Sequence, residues 1–414
     1  MTRAGNRNYV LGVLVLVNMF NFIDRNIVSV LLQQIKEDFQ TTDAQMGLLT
    51  GMSFVVVHGL FGIPIARWAD RGSRRVVIAT GVAVWSAMTA LSGLANRFAV
   101  LLALRMGVGI GEAAGTPPAH SMISDYFPPE RRARALSVYA MGLYLGIMFG
   151  YLMAGWMGQF FGWRVTLIAV GLPGLALAAL IAATVKEPAR TTTVKSHPFS
   201  EVIGFLSSRP AWLALLVAGS FHAAVGYSIS IWAPTFLLRV HGMSYGELGT
   251  WLGLLTGVFG GGGALLGGAI ADRLGSRDQR WYPWTAALAA LAALPTGAVF
   301  VMAESKLVAL TSFAPLIFVI GIYTGPIYAM NQNLAKPRMR AMGIALHLLV
   351  VSIVGGGVAP WLLGELNDAL QPAYGDLGIR YSLLLVVVIG TLVAAAAYTV
   401  ASRTIRADVE AASQ

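Results

Sequence analysis

Four ionisable side chains lie inside long apolar runs. Asp24 and Arg25 sit in NMFNFIDRNIVS, and Arg105 and Glu112 in LRMGVGIGEAAGTPPAH. A charge facing lipid costs at least about 2.5 kcal/mol. Such groups must therefore face protein or water. A carboxylate held by a guanidinium, and released when it takes a proton, is the chemistry of a proton switch. At 100° per residue, Asn18, Asn21, Arg25 and Ser29 share an arc of about 80°, with Asp24 about 60° beyond Asn21. Arg105, Gly109, Glu112 and Thr116 share one of about 60°. A static buried pair, Asp24 with Arg25 or another neighbour, is the competing reading.

These residues need elements to hold them. Of the 414 residues, 56% are hydrophobic and 12% charged, more apolar and less charged than soluble domains. Twelve apolar windows of about 20 residues can be marked, each able to cross a core of about 30 Å: 9–33, 46–66, 76–95, 98–120, 134–160, 164–185, 211–238, 246–271, 282–303, 307–333, 339–364 and 378–401. The runs are continuous rather than alternating, which excludes a β-barrel. The first run is too long for the h-region of a cleavable signal. Zero cysteines exclude disulfides and thiolate metal sites.

The formal charge is +10, but it does not point to nucleic acid. With both termini in the cytoplasm, 21 of the 29 Lys and Arg fall in cytoplasmic segments and 6 outside. That is the positive-inside bias of a membrane protein. The windows also fix depth. Asp24 lies about 22 Å along the first helix from its cytoplasmic start, and Arg105 about 10 Å along the fourth from the outer face. The two lie at nearly the same level, so an Asp24–Arg105 pair is expected if the first and fourth helices face each other. Glu112 lies about 10 Å deeper, with no evident cation at its level. Asp24, Arg105 and Glu112 are thus the expected proton-coupling residues. Protonating either carboxylate would free Arg105 to change partners.

Two basic loops set the repeat. GIPIARWADRGSRR spans 62–75 and GGAIADRLGSR spans 267–277, with Asp70 and Asp272 half a chain apart. The loops resemble the signature G-x-x-x-D-R-x-G-R-R of the major facilitator superfamily, which joins helices 2 and 3 and is echoed between 8 and 9. Here Gly72 comes one position early, Ser73 holds the usual glycine position, and the second copy lacks one arginine. Arg105, Gly109 and Gly111 match the superfamily pattern R-x-x-x-G-x-G. Gly142, Gly146 and Gly150 form a small-residue packing ridge; this resembles an antiporter motif but lacks its proline.

FNFIDRNIVSVLL, RMGVGIGEAAGTPPAHSMISDYFPPERRARAL and GPIYAMNQNLAKPRMRAMGIAL together resemble the spinster branch of the superfamily. The resemblance implies an all-α membrane protein of twelve helices in two pseudo-symmetric halves. It implies a proton-coupled secondary transporter working by alternating access, and not an enzyme. Its substrate would be an amphipathic lipid, such as a lysophospholipid or a sphingolipid-like molecule, or a hydrophobic drug. Expected bounds are 1–185 for the first bundle, 186–210 for a cytoplasmic linker with a short amphipathic helix near Phe199–Leu206, 211–402 for the second bundle and 403–414 for a cytoplasmic tail.

The second half holds no charge at mid-depth. It offers His222, Tyr227 and Trp232, then Thr324, Tyr328 and Asn331 on one helical face, and His347. With Asn18, Asn21, Arg25 and Thr116 of the first half, the polar residues from His222 to Asn331 are expected to line an amphipathic substrate cavity. Asp70, Arg71, Arg74, Arg75, Asp125, Arg131, Arg134, Asp272 and Arg273 are expected to form a cytoplasmic gate, with Asp70 facing a helix N-terminus. No cofactor or metal is expected beyond a proton gradient. The expected partners are the substrate, protons and the bilayer of a bacterial inner membrane, with the chain as a monomer. A proton/organic-anion symporter of the same superfamily is the alternative; it would need a second fixed cation in the second half. Internal duplication suits a transporter better than a channel. No G-x-x-x-x-G-K-[ST] loop is present for a built-in ATPase.

Overall fold

A backbone in hydrocarbon must satisfy its own hydrogen bonds, and helices do so within one segment. The computed structural model describes residues 4–189, 199–336 and 339–413, and these are helical without a strand. In chain order the helices are α1 (Ala4–Phe39), α2 (Asp43–Gly47), α3 (Ser53–Arg71), α4 (Arg74–Ser92), α5 (Phe98–Glu112), α6 (Thr116–Tyr126), α7 (Pro129–Thr184), α8 (Phe199–Ser207), α9 (Pro210–His241), α10 (Tyr245–Leu255), α11 (Gly261–Gly275), α12 (Trp281–Met302), α13 (Lys306–Ile322), α14 (Thr324–Asn333), α15 (Arg340–Val351), α16 (Ala359–Tyr374) and α17 (Gly378–Ser413).

Among the described residues, ten helical stretches are long and apolar enough to cross a membrane. Two of them, with 55 and 71 residues, would be about 80 and 105 Å long, far beyond one crossing. Each folds back once. The first does so at Gly162, with φ 74°, and the second at the turn Gly375–Leu377, where Gly375 has φ 55°. Glycine takes such values without the Cβ clash that penalises other residues. Twelve crossing-length segments result among the described residues, the number the windows predicted.

Several windows are not straight helices. The second contains a π turn, Leu48–Met52, between α2 and α3. The fourth stops at Glu112 and restarts at Thr116. Pro117 and Pro118 lack N–H donors and disfavour helical geometry in the residue before them, so the helix restarts with its prolines in the first turn. The tenth breaks at Tyr323, three residues before Pro326. The expected amphipathic helix is α8, whose Val202 and Leu206 are fully buried. The rest of the expected linker falls partly on 190–198, outside the described residues. Residues 403–413, expected as a tail, continue α17.

The chain divides into two compact units. Unit 1 comprises Met1–Thr193 with Met243–Leu254; unit 2 comprises Val194–Gly242 with Leu255–Gln414. The sequence reading put 243–254 in the second bundle. In the structure this stretch packs on α7: the Gly246 N–H donates to Gln159 at 2.7 Å and Trp156 Nε1 to Thr250 at 3.0 Å. The core of unit 1 is built on Trp85 and Tyr139, with Val10, Leu14 and Val17 from α1. The glycine ridge of α7 is seated on α1: a Cβ on Gly146 would lie 2.4 Å from the Met19 carbonyl oxygen. The core of unit 2 gathers Val202, Leu206, Trp212, Met330, Tyr398 and Ile405.

Candidate functional site

The acidic and basic residues of α1 and α5 meet inside unit 1. Arg105 Nη1 donates to Asp24 Oδ1 at 3.1 Å, and both side chains are buried. The Thr89 hydroxyl, from α4, lies 2.8 Å from each oxygen of the same carboxylate. Arg25 Nε donates to Glu112 Oε2 at 2.6 Å. The Glu112 side chain has no exposed surface, while that of Arg25 is 28% exposed. The Arg25 guanidinium carbon lies 4.8 Å from the centre of the Phe54 ring and 5.3 Å from that of Phe22. Both aromatic faces favour the cation.

One expectation fails at this point. Glu112 does have a cation at its level, namely Arg25. Side chains on a helix lean toward its N-terminus. Arg25, next to Asp24 in sequence, therefore reaches back along α1 to the deeper level of Glu112. Two crossed pairs result, Asp24–Arg105 and Arg25–Glu112. Glu112 Oε1 is buried and has no hydrogen-bond partner among the described residues. Thr116, expected on the same face, lies beyond the break and is exposed. Asn18 and Asn21 are buried, and Asn18 Nδ2 donates to the Tyr139 carbonyl at 3.0 Å.

A second ionic centre closes one end of unit 1. Arg74, only 3% exposed, donates to Asp125, to Ser121 at 2.9 Å, to Glu187 at 2.8 Å and to the Pro188 carbonyl at 3.1 Å. Glu187 also accepts from the Ser73 hydroxyl and the Arg75 N–H, each at 2.9 Å. Burial opposes the Glu187 charge. The Arg75 N–H, the Arg74 guanidinium and the Ser73 hydroxyl outweigh it and hold the carboxyl below the ordinary glutamate range. Arg132 donates to the Ser124 carbonyl at 2.7 Å. Asp70, Arg71, Arg131 and Arg134 are exposed, and Arg75 is half-buried.

A model of the Major Facilitator Superfamily matches residues 14–360. The chain belongs to the major facilitator superfamily. It is 35% identical to an MFS-type efflux pump of Mycolicibacterium smegmatis over 401 residues, 96% of this chain and 93% of that one. It is 27% identical to the sphingosine-1-phosphate transporter SPNS2 of Danio rerio, covering 92% and 81% of the two chains. A solved structure of a bacterial homolog of the human lysosomal transporter spinster, inward-facing and unoccupied, superposes with a TM-score of 0.88. The two are 31% identical over 98% of each chain. The resemblance to the spinster branch thus holds along the chain, and the fold is that of membrane transporters.

The transporter treats its second unit differently. His222 is buried, stacks on Tyr323 with ring centres 4.1 Å apart, and has its Nε2 3.3 Å from the Ile320 carbonyl. Trp232 is fully buried and donates to the Pro360 carbonyl at 3.0 Å. Tyr227 is exposed. Tyr328 is exposed and Asn331 buried, so the face predicted for Thr324, Tyr328 and Asn331 is not one environment. Asn331 Nδ2 donates to the Ile327 carbonyl of its own helix at 2.9 Å. Asp272 and Arg273 are exposed. A cavity of about 560 Å³ lies at the end of unit 2 among Arg277, Asp278, Gln279, Tyr282, Asn333 and Arg406. There Arg406 grips Asp278 with two hydrogen bonds of 3.0 and 2.5 Å. Those bonds, with the Arg280 N–H, pull the Asp278 carboxyl down to about 2.

Sequence reasoning missed Thr89, Glu187 and Phe54. Glu187 had a signal: it is the first acid after the sixth apolar run, between Lys186 and Pro188. Thr89 and Phe54 had none, because a threonine or a phenylalanine in an apolar helix is ordinary.

Proposed function

We propose that this transporter is driven by protons and moves an amphipathic molecule, a lysophospholipid or sphingolipid-like compound or a hydrophobic drug. The observation that carries the reading is the pair of buried ion pairs in unit 1, Asp24–Arg105 and Arg25–Glu112. Buried ion pairs are weak sources of stability, so their presence asks for another role. A proton on Glu112 cancels its charge and releases Arg25; a proton on Asp24 releases Arg105. Each release changes what the guanidinium must find next, which links proton uptake to a change of conformation. Asp24, Glu112 and Arg105 are the coupling residues on this reading, and Arg25 is the partner of Glu112.

The substrate class is supported by the relatives. One is named an efflux pump and another a sphingosine-1-phosphate transporter. The positive-inside bias supports cytoplasmic termini, and on that topology the Arg74 centre is part of a gate at the cytoplasmic end. The inner membrane of a bacterium is the proposed location. Purified protein is screened by thermal shift against lysolipids, sphingoid lipids, sugars and dicarboxylates. Stabilisation by the amphipathic compounds supports the reading. Stabilisation by dicarboxylates alone overturns it in favour of the organic-anion alternative, and stabilisation by sugars alone overturns both.

A further inference from the structure

Unit 1 holds a titratable side chain that this switch does not use. His58 lies on α3, one turn beyond Phe54, and the two rings stack at 5.5 Å and 23°. Phe54 is also the ring that carries Arg25. The guanidinium and the imidazole are thus joined through one phenyl ring. α3 touches α5 at Gly109, where an added Cβ would lie 3.0 Å from the Phe54 carbonyl oxygen and 3.6 Å from the His58 backbone nitrogen. Gly109 is three residues before Glu112, about 4.5 Å along the helix. His58 therefore stands beside the turn of α5 that carries Glu112. The ionisable groups around this crossing are Asp24 and Arg25 on α1, Arg105 and Glu112 on α5, and Tyr139 on α7.

Two polar atoms at this crossing are buried without a partner among the described residues: Glu112 Oε1 and His58 Nδ1. Buried polar atoms nearly always have partners, so two such atoms on touching helices need a common reason. The Glu112 side chain has no exposed surface, and its proton must come through another group. His58 is only half-buried. Imidazole carries a donor and an acceptor nitrogen on one ring, so it can pass a proton across itself.

We propose that His58 is the proton-exchange group that serves Glu112. The neutral ring relays the proton: its N–H bond breaks as an O–H bond forms on Glu112 Oε1, and its other nitrogen takes a proton from a hydronium ion in the water that reaches it, forming a new N–H bond. Glu112 loses its charge and Arg25 is released. His58 governs how fast Glu112 is protonated, not how completely. This inference rests on the reading of Glu112 as a proton carrier.

Infrared difference spectroscopy after a pH jump follows the protonated-carboxyl band of the full chain in lipid, with no substrate needed. The Glu112→Gln variant identifies the Glu112 band as the component it removes. His58→Phe keeps the stack on Phe54 but cannot carry a proton. It should slow the rise of the band by about tenfold or more, the scale of a lost proton-transfer group, and leave the final amplitude unchanged. His58→Ala should be slow as well, and free imidazole should restore its rate. A packing role would not be rescued in this way. A band rising at the wild-type rate in His58→Phe overturns the proposal while leaving the Glu112 reading intact. A difference spectrum that Glu112→Gln leaves unchanged overturns that reading, and the proposal with it.

Discussion

Unit 1 buries Asp24, Asp43, Arg74, Arg105 and Glu112, and each has an ionic partner. Among its described residues unit 2 buries a single carboxylic acid, Asp408, whose carboxylate accepts from the Ala211 N–H at the start of α9. What unit 2 buries instead is neutral and less well satisfied. His347 has no partner on either ring nitrogen, and Tyr398, Ser228 and Thr285 have hydroxyls without one among the described residues. Paired charges can be re-paired by a proton, whereas neutral groups scattered through a core can only be repacked. If the two units evolved from one repeat, as their matching loops suggest, unit 1 kept the chemistry and unit 2 the packing.

That contrast can be broken most sharply at Asp24 and Arg105. Removing one partner of a buried pair leaves an uncompensated charge and costs about 3–5 kcal/mol. Arg105→Met should lower stability by that order in thermal or denaturant unfolding, and Asp24→Asn/Arg105→Met together by much less. A cost for Arg105→Met within about 0.5 kcal/mol, the level of a neutral surface change, would mean that the pair does not hold the unit together.

A smaller effect is expected where the chain closes one end of each unit. The Glu187 carboxyl is held below its ordinary range, so its contribution is present above the unfolded-state value. It should fade as pH falls below about 4. The melting difference between wild type and Glu187→Gln should therefore shrink on acidification. Asp278 is pulled down to about 2, so its contribution should fade over the window between about 4 and about 2. Differences that do not change with pH would show that neither carboxylate is linked to folding through its charge.

The fold could be read from the sequence because its causes are local: apolar length, basic loops half a chain apart, and glycine ridges. Helical rise put Asp24 and Arg105 at one level, and the family resemblance put their helices side by side. The partner of Glu112 did not follow from either, because it depends on the direction in which the long Arg25 side chain leans. The break after Glu112 was encoded in Pro117 and Pro118, but those prolines were read as part of one continuous helix. Thr89 and Phe54 could not have been found without the packing that brings α3 and α4 against α1.

The smallest expected effect sharpens the other side of the contrast. His347 is buried with no hydrogen bond on either ring nitrogen among the described residues. Replacing such a group with an apolar one of similar shape is near neutral or stabilising. His347→Phe should shift stability by no more than about 1 kcal/mol and leave the pH profile of transport unchanged. A displaced profile would put proton chemistry in unit 2 as well.

The most direct test is accumulation of a fluorescent lysophospholipid by proteoliposomes under an imposed pH gradient. Wild type should concentrate it, and collapsing the gradient should stop it. Asp24→Asn and Glu112→Gln should both fold, bind the lipid and fail to concentrate it, with no pH dependence left. A wild type indifferent to the gradient, or variants that still concentrate the lipid with the wild-type pH profile, would contradict the assignment of proton coupling to unit 1.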